Sequence, residues 1–296
     1  MNEDQLIARL PDLFRTHWQL PATSISRLDG GMNSTTALVK TDDGQWVAKW
    51  VTAASGPGFL HGAHIAARLA NAGMQAGQPL PASDGELIKP VDGGVLALLT
   101  FVQGRELTAQ PNDQPLQAAA LARAHSVLGT VTRRAGFFDW LGEDQRVGEV
   151  ADWILPAITG VVSEYHALPP LTWGTVHADP STEAFVLDEA TKDVGIIDWA
   201  GASDGPLLYD VASAVMYLGG TEKAAPFLSH YAKQGSIPSQ EVDRHLRTFR
   251  RFRAIVQADY FARRILSNDL TGIDSDAENQ IGLSHARQML QDLGVI

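Results

Sequence analysis

The sequence predicts an α+β chain in which a small antiparallel sheet with one main helix occupies residues 1–104 and a larger, mostly helical region occupies 105–296. Three observations carry this prediction. Strand-like runs separated by glycine-bearing turns crowd the first third, alanine- and leucine-rich segments fill most of the remainder, and HADPSTEAFVLDEATKDVGIIDW at 177–199 brings strands back into the helical part. At 296 residues the chain can bury a sizeable core and divide into two domains.

Residues 3–17 place Leu6, Ile7, Leu10, Leu13 and Phe14 at helical spacing, with Pro11 as a kink or boundary. SISRLDGGMNSTTALVKTDDGQWVAKWV then reads as three strands, joined first across Gly30-Gly31 and next across Asp42-Asp43-Gly44, in an antiparallel meander. The segment 58–73 is a helix closed by a glycine, and 86–91 and 94–102 supply two more strands, making a five-stranded sheet. Beyond Gly104, helices are predicted over 116–131, 151–168, 207–218 and most of the C-terminal third.

Composition narrows the function. With 34 acidic and 23 basic residues the net charge is −11, which argues against a nucleic-acid partner and suits a cationic one. The absence of cysteine removes disulfides, thiolate nucleophiles and cysteine-ligated metals, and the nine histidines form no helical zinc-binding pair. The first residues carry acids where a secretory leader carries bases, and no apolar run reaches the roughly 20 residues of a membrane span. A cytoplasmic enzyme or binding protein with no membrane partner is expected.

In the stretch 177–199, strands at 185–187 and 194–197 flank a turn, so the hairpin returns Asp198 to the neighbourhood of Glu183 and Ala184. Phosphoryl transfer asks for one carboxylate to receive a hydroxyl proton and another to hold the metal on the nucleotide phosphates; Asp179 suits the first role and Asp198 the second. Upstream, Gly30, Gly31, Asn33 and Ser34 can present N–H groups and hydroxyls to phosphate oxygens. Lys49, one hairpin later in WVAKW, is placed to neutralise phosphate charge.

These segments, GGMNSTT, VAKW, LLTFVQGREL, LARAHSVL, VHADPSTEAFVL, GIIDW and GPLLYDVAS, come in an order and spacing that resemble the aminoglycoside phosphotransferase and choline kinase-like family over nearly the whole chain. The resemblance implies a two-lobed protein-kinase-like fold: a nucleotide-binding N-lobe over 1–104 and a helical C-lobe over 105–296 carrying catalytic loop, metal site and acceptor region. It implies ATP and Mg2+ as cofactors, with GTP left open as donor. Lys49 would contact the phosphates, Asp179 act as base and Asp198 bind magnesium, while Thr100, Phe101 and Val102 would offer backbone groups to the purine. Asp210 would brace the catalytic loop through its backbone N–H groups, and His177 would be structural.

Two departures stand out. The position five residues after Asp179, where the family carries a magnesium-binding asparagine, is Ala184, whose methyl group cannot bind a hard cation; Glu183 beside it is the replacement candidate, provided its backbone is still loop. Residues 53–70 contain no acid to pair with Lys49, which leaves the phosphates, or Asp198 when nucleotide is absent, to hold it. Trp199, Asp204, Asp259 and Tyr260 are candidates for an acceptor site with acidic and aromatic walls. The function expected is phosphorylation of a small-molecule hydroxyl on an aminoglycoside, amino sugar or amino alcohol, and the alternative is a pseudokinase that binds nucleotide or ligand without turnover.

Overall fold

In a computed structural model describing residues 3–28, 33–132 and 136–296, the first element is α1 (Glu3–His17), whose Leu6, Leu10 and Phe14 are buried. Their four-residue spacing puts them on one helix face, and they join Ala37, Val39, Ala48, Leu96 and Leu98 in one core cluster. Pro11 lies inside α1 and does not end it. The ring removes one backbone hydrogen bond, and the buried stripe on both sides of it keeps the helix continuous.

The expected five strands are present: β1 (Ser24–Leu28), β2 (Thr35–Thr41) and β3 (Gly44–Thr52), then, after α2 (Gly56–Asn71), β4 (Lys89–Val91) and β5 (Gly94–Thr100). They pair antiparallel in the order β1-β2-β3-β5-β4. Side chains alternate across a strand. Ala48 therefore enters the cluster with α1, whereas Val51 and Ala97 pack with Phe59 of α2 on the other face. Lys49 pairs with Thr36 and Ala97 in register, so the strand period places it on this α2 face.

The chain continues through β6 (Arg105–Glu106), α3 (Gln114–Leu128), α4 (Val147–Val150), α5 (Ile154–His166) and β7 (Trp173–Val176). The hairpin β8 (Phe185–Leu187) and β9 (Val194–Ile196) follows, then β10 (Ser203–Pro206), α6 (Leu208–Tyr217), α7 (Ala225–Gln234), α8 (Ser239–Ser267) and α9 (Asp276–Asp292). β6 adds to the hairpin in the order β6-β8-β9, and β10 pairs antiparallel with β7. The single helix predicted over 151–168 is shorter, because Ala151 is extended and separates α4 from α5.

These elements form two compact units, Met1–Glu106 with Ala184–Ala202, and Leu107–Glu183 with Ser203–Ile296. The division read from the sequence placed everything after 104 in the helical half. The hairpin instead belongs with the first unit, since β6 hydrogen-bonds to β8 and Ile196 N–H donates to Gln75 O at 2.9 Å. In the second unit α8 packs against α5, α6 and α9. Among the described residues no helix is long and apolar enough to cross a membrane.

Candidate active site

In the first unit the hairpin closes with Ile197 N–H donating to Ala184 O at 2.9 Å, and Asp198 follows in the left-handed region at φ 66°. A non-glycine residue held there stores backbone strain of the sort found at functional sites. The turn Trp199–Gly201 then runs under α2, where a Cβ on Gly62 would lie 2.1 Å from Trp199 O. Only glycine permits that approach. With no acid on α2, the buried Lys49 turns to the hairpin, and its Nζ lies 2.5 Å from Asp198 Oδ1. The two groups suited to phosphates and metal thus hold each other.

Gly30 and Gly31 lie outside the described residues. Asn33 is exposed, and Ser34 is buried at the entrance to β2. Thr100 and Phe101 already donate their N–H groups to Gln78 O at 2.9 Å and Gln45 O at 3.3 Å. Of the purine contacts expected from them, these two residues can therefore supply carbonyls but not amides. Val102 is buried beyond them.

The loop expected to be catalytic, around Asp179, lies in the second unit. Asp210, fully buried near the start of α6, accepts the backbone N–H of His177 at 2.7 Å and of Ala178 at 2.9 Å. His125 Nε2 contacts the same carboxylate at 3.0 Å, while its Nδ1 meets the Tyr231 hydroxyl at 2.7 Å. His177 is buried, and its Nδ1 lies 3.3 Å from the Asp179 N–H. Ala178 has φ 72°, so the loop is strained as well as tied down. Asp179 emerges from it with its side chain 60% exposed. Its Oδ1 accepts from the Tyr217 hydroxyl at 2.5 Å and from Arg253 Nη2 at 3.0 Å.

Arg253 and Tyr217 were not among the residues picked from the sequence. They lie 74 and 38 positions from Asp179, beyond any local motif. One signal was there to read: Arg253 stands beside Phe252 and four residues after Phe249, both buried, and a cation amid buried apolar positions of a helix needs a partner.

Among the described residues no group of three or more His, Asp and Glu side chains could hold a metal by itself. Mg2+ needs no such cage, since it keeps waters and takes one or two carboxylates plus substrate phosphates. Asp198 offers a hard oxygen, as does Glu183, which is exposed in the 3-10 turn Thr182–Ala184 and not in the strand that starts at Phe185. The loop condition set for Glu183 by the sequence is therefore met. Ala184 is buried.

Of the four acceptor candidates, Trp199 lies in the first unit and Asp204, Asp259 and Tyr260 in the second. Trp199 is 3% exposed with its indole N–H on Ile196 O at 2.7 Å, a core group of the first unit with no face for a ligand. Asp259 is also buried, paired by Oδ2 with Arg263 Nε at 2.5 Å. Asp204 lies in β10 opposite Thr175, whose hydroxyl reaches it at 3.4 Å, and Tyr260 lies under the Arg264 guanidinium at 5.7 Å. Asp204 and Tyr260 are half-buried, and of the four they alone keep some side-chain surface in this structure.

Comparison with known proteins accords with this geometry. The homoserine kinase of Sinorhizobium fredii is 29% identical over 208 residues, which make up 64% of this chain and 62% of that protein. The chain therefore matches about three-fifths of the length of such relatives. Among solved structures, amicoumacin kinase hAmiN, in complex with AMP-PNP, Ca2+ and Ami, has a TM-score of 0.74 at 16% identity, covering 99% of this chain and 94% of that one. A microcompartment-associated aminopropanol kinase has a TM-score of 0.68 at 20% identity, covering 98% and 99%. These structures share the protein-kinase-like fold, and the family model matches residues 24–247, from β1 into α8. The chain belongs to the phosphotransferase enzyme family.

Proposed function

We propose that the protein is an ATP-dependent kinase that transfers the γ-phosphate to a hydroxyl of a small amine-bearing molecule. The observation that carries this reading is the state of Asp179: its loop backbone is locked by Asp210 while its carboxylate stays 60% exposed. A carboxylate held still yet open to an incoming hydroxyl is what a base in phosphoryl transfer requires. A module that only binds nucleotide has no use for it. The family match supports the reaction class.

Lys49 would exchange Asp198 for phosphate oxygens when nucleotide arrives, releasing Asp198, with Glu183, to hold Mg2+. Magnesium when bound neutralises charge on the phosphates. Asp179 orients the hydroxyl and takes its proton late, with no enzyme-bound intermediate, and GTP stays open as donor. The homoserine kinase relatives favour an amino alcohol or hydroxy amino acid, the solved neighbours include both an aminopropanol kinase and antibiotic kinases, and the acidic composition suits the amine.

The pseudokinase reading draws on Ala184, the missing amide ligand. Both are tested by incubating the protein with Mg2+, ATP and a panel of amino alcohols, hydroxy amino acids, amino sugars and aminoglycosides, beside Asp179→Asn and Glu183→Gln. Product well above the Asp179→Asn level is expected, together with a raised Mg2+ requirement in Glu183→Gln. Nucleotide binding with no product above Asp179→Asn would point to the pseudokinase, and an unchanged Mg2+ requirement would remove Glu183 from the metal site.

A further inference from the structure

Asp179 is not left to choose its own rotamer. Tyr217 ends α6 and Arg253 lies midway along α8, and both donate to the same oxygen, Oδ1, at 2.5 Å and 3.0 Å. Arg253 Nη2 also reaches the Tyr217 hydroxyl at 3.4 Å, and its guanidinium carbon lies 5.9 Å from the centre of the Tyr217 ring. The two donors thus support each other as well as the carboxylate. Burial pushes the Tyr217 phenol up, against the pull of Arg253 and with help from Asp179 and Glu183, so it stays protonated and donates.

A stabilising role does not account for this arrangement. Arg253 is only 8% exposed, yet the carboxylate it serves is mostly in solvent. Desolvating a guanidinium is costly, and a carboxylate that stays in solvent returns little of that cost. Arg253 Nε is, in addition, buried without a hydrogen-bond partner among the described residues, a further cost. What the arrangement gains is geometry: two donors on one oxygen fix the plane of the carboxylate, and Oδ2 is the oxygen that neither donor uses.

We infer that Arg253 and Tyr217 are positioning residues that clamp Oδ1 so that Oδ2 receives the proton of the acceptor hydroxyl. This rests on the reading of Asp179 as the base. In the step concerned, the acceptor oxygen bonds to the γ-phosphorus as the bond to the nucleoside diphosphate breaks. The acceptor's O–H proton passes to Oδ2. Neither clamp residue exchanges a proton or touches the nucleotide, so their loss should appear in turnover and not in nucleotide affinity.

The test compares Tyr217→Phe, Arg253→Gln and Arg253→Lys with wild type and Asp179→Asn, by steady-state kinetics and by crystal structures. A misplaced catalytic group costs about 100-fold, so kcat should fall about 100-fold in Arg253→Gln and about tenfold in Tyr217→Phe. The KM for nucleotide should stay within about twofold. Arg253→Lys should recover part of the loss, since an ammonium can still donate to Oδ1. Asp179 should take a new rotamer in the Arg253→Gln crystals.

A kcat within about twofold of wild type in both Tyr217→Phe and Arg253→Gln, or a loss confined to KM, overturns the inference. So does an unchanged Asp179 rotamer in both, a readout that requires no acceptor. Tyr217→Phe removes a single oxygen atom and decides the matter if Arg253→Gln does not fold. Failure of the base assignment looks different: Asp179→Asn would be as active as wild type, and the rotamer change would then leave turnover untouched.

Discussion

Asp198, in the first unit, is engaged by a lysine side chain, whereas Asp179, in the second, stands on a loop whose backbone is tied to a buried carboxylate. The Lys49–Asp198 pair joins two side chains across a strand and a hairpin. The Asp179 loop hangs from a buried carboxylate that accepts two backbone N–H groups and a histidine, with a tyrosine behind the histidine. One arrangement is a resting state and the other is scaffold. On the proposed function, the difference follows from the chemistry each region would serve: phosphates and metal would come and go with every turnover, while a base must be in one place each time.

The sharpest way to break this contrast is to remove the scaffold. In Asp210→Ala the N–H groups of His177 and Ala178 and the His125 ring lose their acceptor inside the core. Each orphaned buried donor costs roughly 1–3 kcal/mol, so the loss should reach several kcal/mol, read from urea unfolding of the variant against wild type. A loss under about 1 kcal/mol would mean that water replaces the carboxylate and that Asp210 is not a scaffold group.

How far the sequence reveals each region follows the same division. Lys49, Asp198 and the five-stranded sheet were legible because strands, tight turns and a lysine in a strand are local patterns. The pairing of Lys49 with Asp198 could be anticipated from a composition fact, the absence of any acid over 53–70. The clamp of Arg253 and Tyr217 on Asp179 was not, because contacts between distant helices leave no local spacing. β10, whose SDGP sequence has no strand character, forms only because β7 offers it a partner. Trp199 misled for a related reason: its neighbour Asp198 suggested a binding wall, but the indole caps the hairpin from inside the core.

A smaller effect on stability, with a large one on binding, is expected from the first unit. Lys49→Met keeps the volume of the side chain and its apolar stem on the α2 face, while the Asp198 left behind is 49% exposed and can be hydrated. Stability without ligand should change by about 1 kcal/mol or less. Wild type should gain stability with ATP and Mg2+, and the variant should gain almost none. An equal gain in both would take Lys49 out of the phosphate site, and a large loss without ligand would make the pair scaffold after all.

The smallest effect separates bonding from burial within the second unit itself. Asp259 is as fully buried as Asp210, but it is paired with the partly exposed Arg263, and where Asp210 holds two loop N–H groups and a histidine it is approached by the N–H of Gly142. Burial pushes its carboxyl up from 3.8, against the opposing pull of Arg263. A raised carboxyl binds its proton more tightly in the folded chain than in the unfolded one. Its favourable contribution is therefore complete below 3.8 and fades as pH rises through the folded-state value. Asp259→Asn should then lose ground to wild type as pH falls from 7 toward 4, and at pH 7 it should be no less stable. Parallel stability profiles for the two proteins would show that Arg263 fully offsets the burial of Asp259. Since the two carboxylates are equally buried, the difference between them would then lie in their partners, two loop N–H groups and a histidine for Asp210 against Arg263 and the Gly142 N–H for Asp259.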